Sequence, residues 1–214
     1  MTATISRKGD FQMSLGFIIA VVFAVVLLTL AIVWLQGIIG DIGGVTNDLT
    51  QLARSELTET FHNTQRGFDI SPRTYDLAAG KGVRLLAGIR NRAPDGRSHK
   101  FVINVIPSAA SSNVCPGNNV AACNPPEGSG TMSTYMRSWV TYDSLVTPVQ
   151  IQEIGFKDIT IKTPRNAPQG TYIFKVVACY DGENAAFGVP SSEECQPDSD
   201  DVWSTTQELT IEVI

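Results

Sequence analysis

Phe156-Lys-Asp-Ile-Thr-Ile-Lys-Thr163, Pro164-Arg-Asn-Ala-Pro-Gln-Gly170 and Thr171-Tyr-Ile-Phe-Lys-Val-Val-Ala-Cys-Tyr180 read, in that order, as strand, turn and strand. Ile159 and Ile161 alternate with polar residues at the period of a pleated strand, in which neighbouring side chains point to opposite faces. Two prolines and a glycine between the arms mark a chain reversal. The second arm is rich in β-branched and aromatic residues, which suit a half-buried pleated surface. The same signature recurs outward in both directions. Val83–Arg92, Lys100–Pro107, Met132–Tyr142, Val149–Ile154 and Gln207–Ile214 are further strand candidates, with Phe101, Ile103, Val105 and Leu209, Ile211, Val213 alternating. Turn signals such as Ala93-Pro94-Asp95-Gly96 separate them. Seven short strands with no helical segments between them predict a mainly β fold, an antiparallel β-sandwich over residues 70–214. A segment of that length can bury its own core.

The hairpin also carries a resemblance. Ile161 to Val177, with Pro164, Pro168, Gly170 and Tyr172 at its turn, resembles the penultimate hairpin of immunoglobulin-like modules of archaeal and bacterial surfaces. Gly88-Ile89-Arg90-Asn91 resembles another strand of the same modules. The resemblance covers roughly residues 73–214 and implies an immunoglobulin-like sandwich without specifying a ligand.

The other end of the chain is of a different character. Leu15 to Ile39 contains no charged residue, and only Gly16, Thr29, Gln36 and Gly37 interrupt the apolar run. Twenty-five helical residues span about 37 Å at 1.5 Å each, more than the ~30 Å hydrocarbon core of a bilayer. A cleaved secretory signal has a shorter apolar stretch and an Ala-x-Ala-like site, absent here. The expectation is therefore a basic cytoplasmic tail (1–10), a transmembrane helix (11–39), a glycine hinge with an amphipathic stalk helix (40–69) and the sandwich (70–214). Arg7 and Lys8 before the span, with Asp41 and Asp48 after it, place the sandwich outside a cell membrane crossed once. Val45, Leu49, Leu52, Ala53, Leu57 and Phe61 form the apolar stripe of the stalk.

Lys8-Gly9 ahead of Gln12-Met13-Ser14-Leu15-Gly16-Phe17 resembles the class III signal of archaeal pilin-like proteins. The resemblance implies cleavage between Gly9 and Asp10 and an archaeal origin. Asp10 and Phe11 intervene before Gln12, and Gly16 stands where that family has a glutamate.

All four cysteines, Cys115, Cys123, Cys179 and Cys195, follow the apolar run. They allow three pairings, of which the local one (115–123, 179–195) closes two turn-rich loops. Zinc is disfavoured because no Cys-x-x-Cys occurs and His62 and His99 are remote from one another in sequence. Copper of the cupredoxin kind needs a histidine near the last cysteine, and none follows Cys179. Gly128-Ser129-Gly130 lacks the strand-to-helix setting of a hydrolase nucleophile. No enzyme activity, no cofactor and no small-molecule substrate are expected.

Charge is unevenly distributed. Residues 66–100 carry eight Lys/Arg against three Asp/Glu, while 181–214 carry nine Asp/Glu and no Lys/Arg. Such a dipole is read either as solvated faces or as poles that meet partners. Glu193, Glu194, Asp198, Asp200 and Asp201 form the acidic cluster from which a calcium site could be built. The overall charge of −5 and the lack of aromatic interleaving in the basic stretch argue against nucleic acid. Tyr135, Trp139, Tyr142 and Trp203 are read as core rather than as a recognition surface. The functional expectation is a structural or interaction module of the cell envelope whose partners are the lipid bilayer and an envelope or membrane protein, or another copy of itself. The alternative is a pilin-like filament subunit.

Overall fold

The computed structural model describes residues 15–126, 130–182 and 191–214; within this range the side chains of 15, 17, 18 and 32–49 lie outside the description. Lys8, Gly9, Asp10 and most of the Gly128–Gly130 loop fall outside it too. Two compact units make up the chain, residues 1–48 and 49–214. Helix α1 is assigned over Leu15–Asn63. Among the described residues no helix is long and apolar enough to cross a membrane.

The second unit is a sandwich of two sheets. One has strand order β1(Phe68–Ser71), β3(Gly82–Arg90), β7(Ile154–Lys162), β5(Val140–Tyr142). The other has β2(Thr74–Leu77), β9(Gln207–Val213), β8(Gly170–Tyr180), β4(His99–Ala110), β6(Thr147–Val149). The inner faces meet over Leu85, Ala87, Ile89, Phe101, Ile103, Val105, Ile159, Ile161, Phe174, Leu209 and Ile211. Phe101, Ile103, Val105, Ile159, Ile161, Leu209 and Ile211 are alternating positions of the sequence reading, as a two-residue period requires when one face is buried.

Several expectations are corrected. Among the described residues there are nine strands rather than the expected seven; the four-residue β1 and β2 carry no alternation long enough to register. The sandwich is not wholly antiparallel, since β2 pairs parallel to β9, Thr74 opposite Thr210 through Leu77 opposite Val213. Met132–Tyr142 is not one strand. Thr131 accepts the Thr134 N–H and caps a short helix α2(Met132–Arg137), which buries Met132 and Met136, one helical turn apart; only Val140–Tyr142 is extended. Val149–Ile154 is also broken: β6 ends at Val149, Gln152 takes φ +65°, and the chain crosses to the other sheet before β7 begins. Leu52 is 64 % exposed and so leaves the expected stripe, whereas Leu57 and Phe61 are buried.

Both outer faces of the sandwich are partly covered. On the first sheet Leu57 and Phe61 of α1 pack on Leu86, flanked by Ala53, Ile154 and Phe156. Arg90 donates to the Phe61 carbonyl, bringing positive charge to the helix C-terminus, where the dipole favours it. On the second sheet Val102, Val177, Cys179 and Cys195 form a cluster with Ile106 and Val202. Two covered faces explain why β3 is apolar at Leu85, Leu86 and Ala87 in succession rather than alternating.

Candidate functional site

The sequence-marked features fall into place as supports of the sandwich. The local disulfides form, Cys115–Cys123 and Cys179–Cys195. In the 164–172 turn the Ala167 N–H donates to the Pro164 carbonyl and the Tyr172 hydroxyl donates back to the Pro168 carbonyl at 2.8 Å. This is the tyrosine-corner arrangement of immunoglobulin-like sandwiches. Gly170 has φ +153°, and a Cβ there would stand 2.5 Å from Ser111 Oγ. Asn91 is fully buried; its Nδ2 donates to the Val149 and Arg97 carbonyls and its Oδ1 accepts the Ala93 N–H, which fixes the β3–β4 turn.

The aromatic residues are core. Trp139 is 3 % exposed with its ring 4.6 Å from that of Tyr172. Trp203 packs edge-on to Phe101 and donates Nε1 to the Gly67 and Arg90 carbonyls. Tyr142 donates to buried Asn104.

The acidic residues do not assemble. Glu194 turns its carboxylate onto the Ser191 N–H, which lowers its pKa. Among the described residues no three or more His, Cys, Asp or Glu gather to hold a metal ion, so Glu193, Glu194, Asp198, Asp200 and Asp201 are not brought into a calcium-binding group.

His99, on β4, is 3 % exposed; Nδ1 lies 2.6 Å from Asp181 and Nε2 3.0 Å from Asp95. Burial alone would lower its pKa, but hydrogen bonds and charge from the two carboxylates outweigh it and raise the value. His99 is thereby a clamp between the β3–β4 turn and the residue after β8.

A polar cleft lies between α1 and the β1–β2 corner, with a volume of about 470 Å³. Asp69, 3 % exposed, is its anchor. Its Oδ1 accepts from the Ile70 N–H (2.8 Å) and Arg73 Nη2 (2.6 Å), and its Oδ2 accepts from Arg66 Nη1 (3.1 Å). A buried carboxylate needs such charged donors to offset the loss of water. Both arginine side chains remain 45 % exposed, oriented by this single buried group. Across the cleft, Ser71 Oγ donates to Glu56 Oε2 at 2.5 Å. Thr60 and Thr74 also line it. The sequence reading missed this site. Its one signal was the Arg66…Asp69…Arg73 spacing around Pro72, which the general excess of basic residues concealed.

No family model and no curated protein matches the chain. Solved structures with a similar fold include a PapD-like domain of human CEP192 (TM-score 0.40, 10 % identity, covering 70 % of this chain and 86 % of that one). A Pseudomonas aeruginosa CupB2 chaperone matches at TM-score 0.37 and 8 % identity, covering 67 % and 53 %. The C. elegans MSP family member WR4 matches at 0.33 and 10 %, covering 70 % and 99 %. The two-sheet β-sandwich stands on this chain's own strand order, and its function has to be argued from this chain's own residues.

Proposed function

We propose that the chain is a non-enzymatic, membrane-anchored module of the cell envelope, with residues 15–39 in the bilayer and the sandwich outside it. The observation that carries this reading is the apolar part of α1. Nine large apolar side chains between Ile19 and Leu30 are 46–66 % exposed. Apolar area on that scale needs a non-aqueous neighbour, and the uncharged run from Leu15 to Ile39 has the length of a bilayer span. Two disulfides fit the oxidising side of a membrane. An alkaline carbonate wash of native membranes tests the reading: the chain stays in the pellet, and its release would overturn the anchor.

A second reading, a pilin-like filament subunit, is favoured by the helical assignment of α1 through Gly37, Gly40, Gly43 and Gly44 together with Lys8-Gly9 ahead of it. In that reading the apolar helix is covered by copies of itself. The N-terminal mass of the native protein separates the two: an intact Met1 supports the permanent anchor, and a chain starting at Asp10 supports the filament.

A further inference from the structure

We propose that the cleft between α1 and the β1–β2 corner binds an acidic sugar, a hydroxylated ring bearing a carboxylate or phosphate. The inference deepens the envelope-module reading and rests on it for the source of the ligand, an anionic envelope glycan; the chemistry of the cleft is independent of it. Asp69 takes one N–H from each of Arg66 and Arg73 and holds both guanidiniums at the wall of a cleft of about 470 Å³. A guanidinium has five N–H donors in a planar fork suited to an oxyanion. Each thus presents further donors to the cleft while its orientation is fixed. Glu56, engaged through one carboxylate oxygen by Ser71, is an acceptor for a ligand hydroxyl. Thr74, whose hydroxyl can donate or accept, also lines the cleft. Two arginines and two carboxylates leave the cleft without net charge, which disfavours a bare polyanion and suits one oxyanion accompanied by hydroxyls. The volume falls in the range of small organic ligands rather than that of a lone ion.

The test is calorimetric titration of the full chain in detergent micelles with D-glucuronate, glucose 6-phosphate and glucose. The expected result is saturable binding of at least one acidic sugar with a Kd below ~1 mM, and none of glucose. Which of the two acids binds identifies the oxyanion as carboxylate or phosphate. Arg73→Gln is expected to weaken binding at least about tenfold, the scale of a lost charged hydrogen bond. Because that variant also loosens Asp69, Thr74→Val provides a second arm. It keeps a β-branched residue in β2 and is expected to weaken binding about three- to tenfold. No saturable heat with either acid, glucose binding as tightly as the acids, or undiminished binding by folded Thr74→Val would overturn the proposal. Binding by a chain that carbonate strips from the membrane would retain the site while refuting the anchor.

Discussion

A Cβ added to Gly88 would stand 2.7 Å from Cε2 of Phe61. The helix is thus seated in a notch on β3 that only glycine leaves open, and Phe61 is fully buried there. Gly88→Ala is expected to lower stability by ~1–3 kcal/mol through overpacking, and Phe61→Ala by ~3–5 kcal/mol through the cavity it leaves. Denaturant unfolding of the two variants checks both figures. Equal stability of either variant and the parent would mean that the helix is not held at this notch.

The tyrosine corner joins the 164–170 turn to β8. Tyr172→Phe removes the donor to the Pro168 carbonyl, with an expected loss of ~1–2 kcal/mol. The ring packs against Trp139 in either case, so near-ultraviolet circular dichroism should be retained while the unfolding midpoint falls.

His99 gives the sandwich a pH dependence of defined sign. Its folded pKa lies above the ordinary 6.5 because, against the cost of burial, its ring N–H groups donate to the carboxylates of Asp181 and Asp95. A raised folded value means that the stabilisation is fully present below pH 6.5 and is lost as pH rises through the folded value. Unfolding free energy should therefore decline as pH rises above 6.5, and His99→Gln should flatten this decline. Asp95, held below its ordinary range by the same hydrogen bond, contributes in the opposite window: its share is lost as pH falls through its folded value. A decline of equal size in the His99→Gln variant would refute the clamp.

The two disulfides should differ in weight. Cys179–Cys195 closes the longer loop, a separation of 16 against 8, and both of its cysteines are fully buried. Replacing Cys179 and Cys195 by serine is expected to cost ~3 kcal/mol or more, and replacing Cys115 and Cys123 somewhat less. Thermal unfolding of the two double variants ranks them. Thiol titration of protein isolated without reductant should find no free cysteine, since the described chain has none.

Much of this architecture was legible in the sequence because burial on one face writes itself as alternation. Ile159, Ile161, Leu209, Ile211 and Val213 all lie inward, where their period placed them. The failures have physical causes. Met132 and Met136 carry the helical spacing, but the β-favouring Tyr135, Trp139 and Tyr142 around them suggested a strand until the Thr131 cap was visible. The parallel β2–β9 pairing joins residues 74–77 to 210–213, a contact no local signal encodes. Asp69 escaped notice because its burial depends on α1 and the β1–β2 corner meeting over it; an isolated aspartate between two arginines otherwise reads as a solvated surface. The local disulfide pairing, by contrast, was readable from the turn-rich loops it closes.

The most direct test of the central claim is protease treatment of intact cells with a protease that does not cross the membrane, followed by mass analysis of what the membrane retains. The account predicts that the sandwich, residues 49–214, is removed or released while a fragment containing the uncharged run Leu15–Ile39 stays with the bilayer. A full-length chain protected until the cells are opened, with no fragment left in the membrane, would contradict it.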